Sequence, residues 1–538
     1  MANGKEKPIY AKVNKPVFWI SIIACIVFYV PMMIFQEAAQ VPVQKAMHFI
    51  TYSTDWFFEL IILACLVFVI WLAAGRYGNV KLGGPDDKPE FSTFTWVAMM
   101  FCGGSGAGLV YWALIEPIWY LKAPPFGLEA FSPAAAQFSL AYGIFHWGFS
   151  AWATFAVPAV AFAYLYYVRK KPYLYPSYAC RGVIGKAADG WVGKLIDAIV
   201  IVGMVGGMAT SLGFVIPMLS KISADYFGIA DNIQFKLIVC VLFSCIYTWS
   251  CYNGLKGGIA KLSDMNMYLT FIILGFVVIV GPTTFMFSLF ADNMGALFDN
   301  FLRMSLYTDP ISKSGFPQDW TVFYWAWWLA WAVYVGLFAA RISKGRTIRS
   351  LIVNMVCTAT GGCMLFYLVF GSYQVDAIMN HGAQIADILA NEGGPAVISW
   401  FLNSLPFAKV VIPFFIFVMA ISQATGVDAA SFTMANMACS EVKDGVEPPK
   451  WIRLTWAGVL FVATVALLLV GGMQVVQLSS VLTAVPVLFL MVILAVSTVK
   501  WLREDFGYDK ALTTTKFDNE NLESIPVKVD GTSNTTNM

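Results

Sequence analysis

Twelve stretches of this chain are long and apolar enough to cross a bilayer as helices: 16–35, 56–75, 93–120, 138–168, 191–220, 235–253, 266–290, 319–340, 348–372, 406–437, 451–472 and 476–500. About 20 helical residues cover the hydrocarbon layer. Within it, only helices and closed barrels satisfy every backbone N–H and C=O. The runs therefore predict an all-α integral membrane protein. Composition agrees: 59% of the residues are hydrophobic and 12% charged, against about 25% charged in soluble proteins. A net charge of +2 offers nothing to nucleic acid. The ten cysteines lie mostly in apolar runs without metal-ligand spacing and read as reduced packing residues.

Lys and Arg test the span count. With the N-terminus inside, 27 of the 34 fall on the inner side and seven outside, as the positive-inside bias requires. The polar first fifteen residues precede an apolar run without a cleavage site, so that run is expected to be retained. The tail beyond Trp501 is polar and reads as disordered. The segment DNMGALFDNFLRM (292–304) has amphipathic spacing and is expected along the outer surface.

Glycine interrupts the third span at CGGSGAGLVYWALIEP. Gly104, Gly106 and Gly108 alternate around Ser105, and each disfavours helix by about 1 kcal/mol relative to alanine. Two readings stand: close packing through small residues, or unwound backbone lining a substrate or ion site. GMVGGMATSLG (203–213) in the fifth span and Thr425, Asp428 and Ser431 in the tenth raise the same pair of readings. Charge within the spans is sparse. Charged groups at depth, Glu116 and Asp197 here, are functional suspects by default, but Glu116 reads first as hydrogen-bonding helix ends and His146 first as a structural histidine. HExxH, GxSxG and CxxC patterns are absent from the sequence, which speaks against an enzyme. The loops are too short to hold the output domain of a sensor.

The eighth span opens WTVFYWAWWLAW (320–331), with five tryptophans in twelve residues. On a regular helix Trp320, Trp327 and Trp331 fall within about 40° of one another, with Tyr324 and Trp328 beside them. An interfacial belt accounts for Trp320. It accounts less well for the deeper rings, which suit a cage for an onium cation, attracted by about 0.5–2 kcal/mol per aromatic face. Trp147, Trp152 and Phe155 in FHWGFSAWATF make a second aromatic set, and Trp119 with Tyr120 a third.

The segment YTDPISKSGFPQDWTVFYWAWWLAWAVYVGLFAARISKGRTIR (307–349), with PEFSTFTW, APPFGLEAFS, FHWGFSAWATF and EVKDGVEPP, resembles the betaine/choline/carnitine transporters over residues 12–505. The wording is nearest the carnitine/γ-butyrobetaine exchanger branch. The resemblance implies twelve transmembrane helices in a leucine-transporter-type 5+5 inverted repeat. Residues 1–15 are then a cytoplasmic segment, 16–92 two leading helices and 93–290 the first repeat. Residues 291–318 are an outer amphipathic helix and loop, 319–500 the second repeat and 501–538 a cytoplasmic tail. It implies a homotrimer in a bacterial-type inner membrane, both termini cytoplasmic, moving a small zwitterionic onium substrate by alternating access. Carried over residue by residue, Trp147, Trp152, Phe155 and Trp328 surround the cation. Trp327 and Trp331 line the path, Trp119 matches an exchanger aromatic, and Gly104, Ser105 and Gly106 lie at the substrate.

Coupling is where the resemblance divides. The glycine pattern matches sodium-coupled members, and the exchangers' arginine and methionine are replaced by Asn266 and Val335. Gly426, after Thr425, lacks the serine hydroxyl of sodium members. Cys102 and Ser105 through backbone carbonyls and Thr425 through its hydroxyl form a candidate sodium site. Cation-coupled symport is the expectation, and sodium-independent substrate/product exchange is the alternative.

Overall fold

The computed structural model describes residues 11–104, 106–171, 175–253, 259–440 and 447–507. Every expected span falls on helix. Ten helices are individually long and apolar enough to cross a membrane, or eleven with the bent pair Met265–Val280 and Thr283–Ser305, which turn by 108°. Span 3 is absent from that set because it consists of two shorter helices, Thr93–Gly104 and Ala107–Lys122. Several helices outrun the hydropathy boundaries: span 2 is Gln36–Ala74 and span 12 is Met473–Phe506. Hydropathy registers only the part in hydrocarbon, whereas backbone hydrogen bonding continues into water. The expected tail at 501–538 therefore begins as helix, and residues 508–538 lie outside the described part, as do 1–10.

Local chemistry sets the breaks. Span 4 starts with Ser132 accepting from Ala135 N at 3.1 Å and with Pro133 in the first turn. It runs Pro133–Trp147, breaks at Gly148 and resumes as Phe149–Ala163. A Cβ at Gly148 would sit 2.4 Å from the Ile144 carbonyl oxygen, so the bend admits only glycine. Span 8 opens with a π-helical turn, Pro317–Thr321, before the regular helix Val322–Arg341. Span 9, between residues 348 and 379, contains two more, Asn354–Thr358 and Tyr367–Gly371. The helix Thr283–Ser305 turns its apolar side to span 4, where the Asn293 Oδ1 accepts from Leu140 N and Ala141 N at 3.0 Å each.

The packing pairs recur when spans 3–7 are exchanged for spans 8–12. Span 4 packs on span 8 and span 9 on span 3. Span 5 (Trp191–Phe227) packs on span 12, and span 10 (Ala408–Met437) on span 7 (Ile259–Val280). Spans 5 and 11 have their counterpart in spans 10 and 6. Spans 4, 5 and 8 form the buried middle, while apolar side chains of spans 1, 2, 6 and 7 such as Trp19, Phe49, Trp249 and Ile279 face outward. Arg169 grips Asp505 through two hydrogen bonds of 2.8 Å, tying the end of span 4 to the end of span 12.

Candidate functional site

Span 8 brings its aromatic stripe against the bend of span 4 and the second half of span 3. Trp328 is the hub. Its ring lies 4.6 Å from that of Trp147 at 71° and 5.9 Å from Phe155 at 88°. Trp327 stacks on it at 5.1 Å and Tyr324 at 5.8 Å. Trp152 stands behind Phe155, 5.5 Å away and edge-on. All six rings are buried. Such contacts contribute about 0.5–1.5 kcal/mol each beyond area burial, and they present both π-faces and ring edges to one volume. The rings touch, so a ligand among them would require them to separate.

Hydrogen bonds aim the rings. The Trp328 indole N–H donates to the His146 carbonyl at 2.7 Å and that of Trp327 to the Gly207 carbonyl at 3.1 Å. The indole N–H groups of Trp147 and Trp331 are buried without an acceptor among the described residues. Gly108 abuts the cage: a Cβ there would lie 3.3 Å from Trp327 and 3.8 Å from Trp147. Gly106 caps the N-terminus of Ala107–Lys122 in extended backbone, with nothing within 4 Å of where its Cβ would be.

Other expected site residues fare differently. Trp331 is half-buried at the edge of the cage, against Gly207 and Tyr334. Trp119 is not brought to the cage. It packs on Trp320 at 5.8 Å, with Lys122 over its ring. Trp320 does not form an interfacial belt: it is buried against Trp112, Trp119 and Tyr120. The π-helical turn carrying it departs from the α-helical period on which the stripe was drawn. Cys102 and Gly104 lie in the last turn of Thr93–Gly104, their side-chain surroundings outside the described part, and Ser105 lies outside it altogether. Thr425 sits mid-helix in span 10, its hydroxyl donating to the Ser422 carbonyl at 2.9 Å. Open space adjoins Gly426.

A polar chain backs the cage. Glu116 and His146 are both fully buried, 3.8 Å apart. Tyr120 bridges them, its hydroxyl 2.9 Å from Glu116 Oε1 and 3.0 Å from His146 Nδ1. Tyr367 donates to Glu116 Oε2, and His146 Nε2 lies 3.1 Å from the Thr321 hydroxyl. Spans 3, 4, 8 and 9 each contribute to this chain. The sequence marked Glu116 and His146 separately, but no spacing rule announces contacts among four distant helices. Asp197 has a local role, accepting from Ser177 N and Oγ at 2.9 Å each. Asp428 accepts from Ser250 at 2.8 Å.

Residues 16–507 match the model of a family described as betaine/carnitine/choline family transporter. Among solved structures, the chain is similar to a Na+-coupled sialic acid symporter in a substrate-bound outward-open state. The identity is 10%, 82% of each chain is covered and the TM-score is 0.34.

Proposed function

Because the chain belongs to the betaine/carnitine/choline transporter family, we propose that this multi-pass membrane protein carries betaine-type quaternary-ammonium zwitterions by cation-coupled symport. The observation that carries this reading is the convergence of Trp147, Phe155, Trp327 and Trp328 around one buried point. A methylated onium has no N–H to donate, so aromatic faces are its specific partners. The substrate carboxylate has two kinds of donor nearby. One is the half-helix beginning after Gly106, whose first N–H groups and dipole favour negative charge. The other is the unpaired indole N–H of Trp147 and Trp331. Carnitine, γ-butyrobetaine and glycine betaine share this pairing of onium with carboxylate.

Sodium is the proposed co-substrate. The hydroxyl of Thr425 and backbone carbonyls of Cys102 and Ser105 would supply hard oxygen ligands, with water in the place beside Gly426. The two repeats, 93–290 and 319–500, would rock against each other around the cage, in an inner-membrane homotrimer with both termini cytoplasmic. The 27-to-7 division of Lys and Arg supports that orientation. Substrate/product exchange is the second reading, favoured by the resemblance of 307–328 to the exchangers.

Uptake by proteoliposomes, with and without a sodium gradient, separates the two readings. Trp328→Ala is expected to weaken binding about 30-fold, the equivalent of roughly 2 kcal/mol of lost cation–π attraction. Trp19→Ala, on the lipid-facing surface, is expected to leave it unchanged. Unaltered onium titration of tryptophan fluorescence in Trp328→Ala would remove the cage, and full-rate exchange in sodium-free buffer would favour the second reading.

A further inference from the structure

The chain behind the cage has a direction. A self-consistent set of hydrogen bonds lets Thr321 donate to His146 Nε2, His146 Nδ1–H to Tyr120, and Tyr120 to Glu116 Oε1, while Tyr367 donates to Oε2. The tautomer follows from the network. Every dipole then points at the carboxylate, and both its oxygens receive a phenol O–H, the pairing an acceptor-only carboxylate needs. His146 is the only basic side chain within ion-pair distance of Glu116 among the described residues. Among the described residues no lysine or arginine pairs with Glu116.

The carboxylate stands close to the site. The His146 ring stacks on Tyr324 at 4.7 Å, and Tyr324 stacks on Trp328 at 5.8 Å. The carbonyl of the same histidine receives the Trp328 N–H at 2.7 Å. One residue thus bonds to the carboxylate relay through its ring and to the hub of the cage through its backbone.

We propose that Glu116 is the buried counter-charge of the cage: a specificity-determining residue that makes the rear wall negative and selects a cationic substrate over a neutral one of the same shape. The proposal rests on the cage reading and deepens it. Aromatic faces attract a cation but also bury any apolar head of that size. A unit negative charge on the order of 10 Å behind them favours the cation alone, by about tenfold at the effective dielectric of protein interiors. The two hydroxyls and the imidazole hold the carboxylate without neutralising it.

The test compares two probes: a betaine with a trimethylammonium head, and its carbon isostere with an uncharged tert-butyl head. Binding of each is measured by isothermal titration to purified protein, for the wild type, Glu116→Gln and Glu116→Met. The expected result is that the wild type prefers the onium, and that either uncharged variant loses about tenfold in onium affinity while holding the isostere as before. Equal losses for both probes would assign Glu116 a purely structural role and overturn the proposal, as would an unchanged onium preference. Should both variants fail to fold, infrared difference spectra of the wild type decide. An ionised-carboxylate band perturbed by the onium but not by the isostere supports the proposal, and its absence sinks it. A wild type that binds both probes equally would instead strike at the cage reading.

Discussion

Two glycine-rich stretches, 103–108 in span 3 and 203–213 in span 5, look alike in sequence and end differently. Span 5 is one unbroken helix, Trp191–Phe227, whereas span 3 breaks between Gly104 and Ala107. Neighbours decide the difference. In span 5 a Cβ at Gly206 would lie 2.5 Å from the Ser479 carbonyl, one at Gly207 2.6 Å from Trp331, and one at Gly213 2.7 Å from Val476. Those glycines let helices approach, the usual use of small residues in membranes. At Gly106 nothing lies within 4 Å. Packing there does not ask for glycine, which fits the proposed role of this break in binding. Glycine density alone does not distinguish a packing groove from a helix break.

Substitutions sharpen that contrast. The largest effect is expected for Gly207→Val, which drives its side chain into Trp331 and Ala330. Overpacking on this scale costs about 3 kcal/mol, readable as a lowered unfolding temperature in detergent. A stable Gly207→Val with intact binding would dissolve the contrast from the span 5 side. Gly106→Val is expected to do the reverse. Its extended backbone and open surroundings admit a side chain at less than about 0.5 kcal/mol, while substrate uptake falls by about tenfold because the approach to the half-helix is filled. Uptake equal to that of the wild type would mean that the break lines no site. The smallest change is Gly426→Ser, also beside open space. It adds one oxygen where sodium members carry serine, so half-saturation by sodium should fall about threefold at constant thermal stability, a shift of less than 1 kcal/mol. No change in the sodium curve would move the ion elsewhere.

Much of this was legible in the sequence because it depends on local rules. Hydropathy located every span, since a helix must carry its apolar length within one segment. Glycine propensity marked the break before Gly106 as one of two readings, and helical periodicity placed Trp327 and Trp328 deep in their span. Trp320 escaped the belt reading because Trp112, Trp119 and Tyr120 of span 3 bury it, a contact that position along span 8 does not announce. The bend at Gly148 escaped because a lone glycine between Trp147 and Phe149 resembles many that do nothing. The Glu116 relay escaped for a deeper reason: its members are separated by up to 251 residues, as in the Tyr367–Glu116 hydrogen bond. Only tertiary packing makes them one object.

The break in span 3 also bears on how the chain enters the bilayer during synthesis. Its halves have 12 and 16 residues, and at 1.5 Å per residue they reach about 18 and 24 Å, short of the roughly 30 Å hydrocarbon layer. Neither half can settle across the membrane as an independent helix. Integration of this segment must await neighbours translated later, spans 4, 8 and 9, which cover it. The machinery that releases nascent helices sideways into lipid would hold this one back, and in a chain truncated before span 8 this segment should stay accessible to a water-soluble thiol reagent while spans 1 and 2 stay protected.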